Sequence, residues 1–182
     1  MNGVKASPGR DGLVLVGARG SGKTTVGLIL AKRLGVENFD LDREIEARIG
    51  RTIAEVFADA GEEGFRDWEE CVLRKVSHAF PGSIIATGGG AVLRPINRQR
   101  IREHGRVVWL QARPDELARR IATDGTSASS RPALTSAGVL QEIETVLAQR
   151  AALYAEVADF TVDSTESSAD EVASAILARW SL

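Results

Sequence analysis

Apolar residues gather along this chain in short runs, and between the runs they recur every three or four positions. Leu13-Val14-Leu15-Val16 is one such run. It stops at Gly17, and helix-period residues follow from Val26 through Leu34. The order strand, loop, helix then repeats, with strands expected from Val36 to Asp40, Ser83 to Thr87, Arg106 to Leu110 and Asp159 to Val162. Strands separated by helices pair in parallel, because a parallel connection needs a long crossover. The runs are apolar throughout rather than alternating, so helices should cover both faces of the sheet. The pattern predicts an α/β fold: a doubly wound, five-stranded parallel sheet flanked by helices.

Two intervals break this alternation. From about 41 to 80 the chain reads as a helical insertion. Thr52-Ile-Ala-Glu55 has the spacing of a capping box, and a longer helix is expected from about Glu62 to Ala79 with Phe65, Trp68, Val72 and Val76 on one stripe. From about 123 to 135 the stretch TDGTSASSRPALT is rich in Ser and Thr and reads as a mobile loop. A helix from Ser136 to Ala155 should follow, with Val139, Ile143, Val146, Leu147, Leu153 and Tyr154 on its apolar face. Residues 1–12 are polar and glycine-rich without a hydrophobic signal core, and are expected to form a disordered tail outside a single domain spanning 13–182.

Composition narrows the partners. The one cysteine, Cys71, has no intramolecular partner and no Cys/His cluster exists, which points to a reducing, cytoplasmic setting. A formal net charge of −2 argues against a nucleic-acid binder that works through bulk charge. No apolar run approaches a membrane span, so no membrane is expected.

The strongest chemical signal is Gly17-Ala-Arg-Gly20-Ser21-Gly22-Lys23-Thr24, which fits G-x-x-x-x-G-K-[ST] between a strand and a helix. Its backbone N–H groups can curl around phosphates at a helix N-terminus. Lys23 supplies a charge for the terminal phosphates and Thr24 a hydroxyl for Mg2+; the nucleotide site extends to Thr25. Asp40 and Asp42, two apart after an extended run, either leave the strand end together toward a ligand or divide into a helix cap at Asp42 and a solvated Asp40. Arg66 can be held by Glu69 or Glu70, as a surface pair or as part of a site. Arg150 falls on an apolar helix face, so it is paired, snorkelling or facing a cleft. Thr87-Gly88-Gly89-Gly90 ends a strand in three glycines, more than a turn needs, which suggests a floor that something approaches closely. His78 and His104 read as surface or helix-end residues, Trp109 as core, and Trp68 as a neighbour of the ligand beside Arg66.

Together these motifs resemble shikimate kinases: the phosphate loop at 17 to 24, Asp-Leu-Asp at 40 to 42, Gly-Glu-Glu-Gly-Phe-Arg-Asp-Trp-Glu at 61 to 69, Thr-Gly-Gly-Gly at 87 to 90, Arg-Pro at 131 to 132 and Arg-Ala-Ala-Leu-Tyr at 150 to 154. The resemblance implies a phosphate-loop NTPase of the nucleoside monophosphate kinase-like kind. It would move the γ-phosphoryl group of ATP to the 3-hydroxyl of shikimate, with Mg2+, as a monomer. It further implies that Gly88, Gly89 and Gly90 floor the shikimate site, that Arg66 and Arg150 clamp its carboxylate with Glu69 orienting Arg66, and that Phe57 and Phe65 are apolar walls. Asp42 would grip the ring hydroxyls and accept a proton, and Asp40 would reach Mg2+ through water. Arg131 would act from the lid on the γ-phosphate, and Asp163-Ser164-Thr165 would line the adenine side. The lid departs from the family's Arg-Pro-Leu-Leu, reading Arg131-Pro132-Ala133-Leu134. A gluconate kinase of the same fold, or a switch or kinase-like protein without catalysis, are the competing readings. The chain has no Asn-Lys-x-Asp run for guanine, and Lys23, Asp42 and both clamp arginines are present.

Overall fold

A computed structural model describes residues 12–123 and 138–180. Five strands run β1 (Gly12–Val16), β2 (Asn38–Asp40), β3 (Ile84–Ala86), β4 (Gly105–Gln111) and β5 (Phe160–Asp163). They form one sheet in the order β2-β3-β1-β4-β5, every neighbouring pair parallel. The helices are α1 (Lys23–Leu34), α2 (Leu41–Ile49), α3 (Ile53–Ala79), α4 (Pro95–His104), α5 (Pro114–Thr123), α6 (Val139–Val157) and α7 (Ala169–Trp180). A 3₁₀ turn at Ala91–Leu93 follows the glycine run.

The expected two-sided burial is present and can be traced residue by residue. In β1, Leu13 and Leu15 face Val26, Leu30 and Ile176 of α1 and α7, while Val14 and Val16 face a second core containing Val72, Ile101 and Tyr154 of α3, α4 and α6. Side chains two apart share a face of a strand, so a four-residue apolar run serves two cores at once. Leu13, Val14, Leu15 and Val16 are all buried.

Strands β3, β4 and β5 start and stop one residue from their expected bounds, and three further boundary differences have a visible cause. Strand β2 begins at Asn38 rather than Val36, because Gly35 ends α1 in a left-handed conformation (φ 70°) and the Val36 N–H still bonds the Ala31 carbonyl. Gly12 belongs to β1, not to the tail; it pairs with Gly105, and the His104 ring fills the place where its side chain would stand. Helix α6 runs on to Val157, because the Ala158 N–H still bonds the Tyr154 carbonyl. The tail at 1–11 and the lid from 124 to 135, with Arg131, lie outside the described residues.

The insertion is α2 and α3. Thr52 caps α3 through the expected box with Glu55, and Gly61 breaks it at φ 67°, ψ −170°, so that the segment after the break is the long helix read from the sequence.

Candidate active site

The phosphate loop leaves β1 and enters α1 through Gly17, Gly20 and Gly22, all at positive φ. A side chain at Gly17 would collide with the Leu110 carbonyl of β4, so the turn is open to glycine alone. Lys23 is buried, its Nζ donating to the Ala18 carbonyl at 2.7 Å within the loop it closes. Ser21 is fully buried, Thr24 half-buried, and Thr25 lies exposed on the first turn of α1.

Asp40 and Asp42 do not leave an extended strand side by side. Helix α2 begins at Leu41, and Asp40 is its cap: Oδ1 accepts the N–H groups of Asp42 (3.1 Å) and Arg43 (3.2 Å). The cap is therefore Asp40, not Asp42, and Asp40 is not merely solvated. Its other oxygen accepts the Thr24 hydroxyl at 2.5 Å, which ties the start of α2 to the phosphate loop. Asp42 sits half-buried in the first turn of α2.

Arg66 is buried on α3, with 5 % of its side chain exposed. Nη1 donates to Glu69 at 2.7 Å; Nη2 and Nε donate to Glu62 at 2.9 and 3.3 Å. The guanidinium lies 5.2 Å over the Phe65 ring, which stacks on Phe57 at 4.8 Å. Burial works against the charge, but Glu69 and Glu62 outweigh it and hold the pKa above the ordinary arginine value. These bonds leave one N–H on each terminal nitrogen for a ligand. Phe65 itself has no exposed surface and supports Arg66 from beneath.

The glycine run explains itself here. No glycine from 88 to 90 has positive φ, so the run is not there for turn geometry. A side chain at Gly90 would overlap the Arg66 guanidinium, and one at Gly89 would stand 3.5 Å from the Gly17 carbonyl and the Arg19 N–H. The glycine run thus lies beside the phosphate loop at Gly89 and against the arginine at Gly90.

Arg150 lies half-buried on α6 and makes no hydrogen bond or ion pair among the described residues. Trp68 is 40 % exposed on α3, so it stands outside the buried stripe of Phe65, Val72 and Val76 on which it was expected. Trp109 packs against the core beside Tyr154. His78 is exposed in the last turn of α3, whereas His104, the last residue of α4, is buried.

Several contributors escape sequence reasoning. Glu62 holds Arg66 from the preceding turn, while Glu70, the other expected partner, pairs with Arg94 and Arg100. Arg94 spans Glu63, Asp67 and Glu70, fastening α3 beside the glycine floor. Arg120 of α5 donates to the carbonyls of Ser164 (2.6 Å), Thr165 (3.1 Å) and Gly20 (3.4 Å), and the Ser164 hydroxyl reaches the Ser21 carbonyl. The loop after β5 and the phosphate loop are thereby joined. Reading i−4 as well as i+3 from Arg66 finds Glu62; nothing distinguishes Arg120 from Arg119 in the sequence.

A parallel sheet, a phosphate loop and a buried cation across a glycine floor define a phosphate-loop kinase of small molecules. A gluconokinase from Sinorhizobium meliloti shares that fold, with a TM-score of 0.57, 20 % identity and coverage of 95 % of this chain and 93 % of its own. Likeness is far greater elsewhere. The shikimate kinase family model matches residues 19–181. Shikimate kinase of Rhodopirellula baltica is 42 % identical over 97 % of this chain and 93 % of its own. Shikimate kinase 2 of Dickeya chrysanthemi is 46 % identical over 85 % and 87 %. The structure of shikimate kinase from Acinetobacter baumannii in complex with shikimate superposes with a TM-score of 0.86 at 37 % identity, covering 93 % of this chain and 92 % of that one. The chain belongs to the shikimate kinase family.

Proposed function

We propose that this chain transfers the γ-phosphoryl group of ATP to the 3-hydroxyl of shikimate, giving shikimate 3-phosphate and ADP on the route to chorismate and the aromatic amino acids. The observation that carries this reading is the shared wall: Gly89 packs on the phosphate loop and Gly90 packs on Arg66. A carboxylate bound at Arg66 therefore holds its ring beside the bound phosphates. Arg150 supplies the second clamp on that carboxylate, Glu69 and Glu62 aim Arg66, and Phe57 walls the site with Phe65 behind it. Lys23 and the loop N–H groups hold the phosphates, with Arg131 as the lid cation.

Little covalent work falls to the protein in phosphoryl transfer, so alignment and charge dominate. Asp42 orients the attacking hydroxyl and takes its proton as the new bond forms. Among the described residues no three metal-ligating side chains cluster. Mg2+ needs no such cage, since it keeps waters and binds through one or two protein oxygens plus phosphate oxygens. The paired oxygens of Thr24 and Asp40 fit that role, directly and through water respectively. Mg2+ bound there would neutralise charge on the β- and γ-phosphate oxygens. A monomer in the cytoplasm is the proposed working form; no helix among the described residues is long and apolar enough to cross a membrane.

ADP formation with shikimate added, withheld or replaced by gluconate tests the reading. Release that depends on shikimate and on Mg2+ is expected. Equal release without shikimate contradicts it, and a preference for gluconate selects the other kinase. Asp42→Asn should lower kcat by about 100-fold or more with the fold intact; near-normal turnover would remove Asp42 from the chemistry.

A further inference from the structure

The carbonyls of the glycine run have separate partners. Gly88 accepts from the Ala91 N–H at 3.1 Å and Gly90 from the Leu93 N–H at 3.0 Å, both within the turn that follows. The Gly89 carbonyl instead accepts the hydroxyl of Tyr154, at 2.5 Å. Tyr154 comes from α6, is 1 % exposed, and packs its ring 5.5 Å from Trp109. The point where a side chain would begin on Gly89 lies 3.5 Å from Arg19 N and the Gly17 carbonyl of the phosphate loop and 3.6 Å from the Tyr154 hydroxyl. Gly89 is thus the residue where the loop that takes ATP and a phenol on another helix come together.

We propose that Tyr154 is a positioning residue for the phosphoryl acceptor: its hydroxyl fixes the Gly89 peptide, and with it the height of the acceptor's floor against the phosphate loop. This rests on the reading of Gly88 to Gly90 as the shikimate floor. Three glycines in a row carry no side chains of their own to lock their backbone, so an external hydrogen bond sets the plane. Arg150 lies four residues earlier on the same helix, so α6 brings both a carboxylate clamp and the pin of the floor. Phosphoryl transfer requires the acceptor oxygen in line with the γ-phosphorus, and a small shift of the floor moves that oxygen out of line. The phosphate loop keeps its own shape through its glycines and Lys23, so ATP binding should not follow.

Tyr154→Phe keeps the ring and its packing on Trp109 while deleting the hydroxyl. Shikimate Kd should rise about three- to tenfold, the size of one hydrogen bond, and kcat should fall by a similar factor or more. ATP Kd should stay within about twofold, and the thermal midpoint should fall by no more than a few degrees, the cost of one buried carbonyl left without its donor. Arg66→Lys is measured beside it. If Arg66→Lys weakens shikimate binding while Tyr154→Phe leaves shikimate Kd and kcat at wild-type values, the positioning role is wrong. If both substrates' affinities fall together with the thermal midpoint, Tyr154 is a core residue and no more, and the proposal is again wrong. If Arg66→Lys leaves shikimate binding unchanged, the reading of the floor falls and this role falls with it.

Discussion

Arg66 shows how much a single buried cation requires of its surroundings. Its partner Glu69 is fully buried, so Glu69→Ala would leave the buried guanidinium to Glu62, whose side chain is 56 % exposed, and urea denaturation should show a loss of about 1.5–3 kcal/mol. Arg66→Lys keeps the charge but loses the planar fork. Isothermal titration should show shikimate binding about tenfold weaker or more, and ATP binding nearly unchanged. Gly90→Ala is a subtler probe, because at φ −101° the backbone accepts alanine while the new methyl would take the guanidinium's place. Shikimate affinity should fall about as far as in Arg66→Lys, and the thermal midpoint should drop with it because the displaced guanidinium loosens its bond to buried Glu69; unchanged affinity would show that the guanidinium can move aside without cost. That three glycines mark a close approach was legible in the sequence. That an arginine from α3 makes the approach was not, since nothing local to either segment records the contact.

At the scale of elements, β1 and β3 were legible because each is an apolar run buried on both faces, whereas the edge strands β2 and β5 are only partly buried; strand ends were not legible because caps decide them. Asp40 illustrates this. As a cap it is interchangeable with asparagine, so Asp40→Asn should leave stability almost unaltered. As a carboxylate beside Thr24 it is not, and a Mg2+ titration of turnover should need several-fold more metal in the variant. A large loss of stability instead would mean that the contact with Thr24 holds α2 in place. The sequence placed Asp40 and Asp42 together because an extended run was expected to continue; the helix begins at Leu41, two residues sooner than that reading allows, and the two carboxylates take different duties.

For the whole molecule, the two ends of the sheet divide the labour. The C-terminal ends of the strands carry the site. At the other end, buried His104 donates from Nε2 to the Ser83 carbonyl at 2.9 Å and fills the space over Gly12. Burial pushes its pKa below the ordinary histidine value, against the raising effect of its bonds to Ser83 and Ser77. The unfolded chain then binds the proton more readily, so the stability that His104 contributes is intact above about pH 6.5 and declines as pH falls below it. The urea midpoint should therefore drop between about pH 7 and pH 5, and His104→Gln should flatten that slope while lowering stability at pH 7. An unchanged slope would assign the acid sensitivity to other groups.

The central place of β1 has a consequence for how the protein is made. Its strand partners are β3 and β4, so Leu13 waits for Ile84 and Arg106 before it has a neighbour on each side. A nascent chain that has emerged as far as Asp40 already holds every residue of the phosphate loop, yet no sheet to mount it on. Parallel pairings this distant in sequence form late, after their loop-closure entropy has been met. The capacity to hold ATP therefore arrives only once the ribosome has passed Gln111, and nucleotide capture by stalled chains of increasing length should switch on there rather than at Thr24.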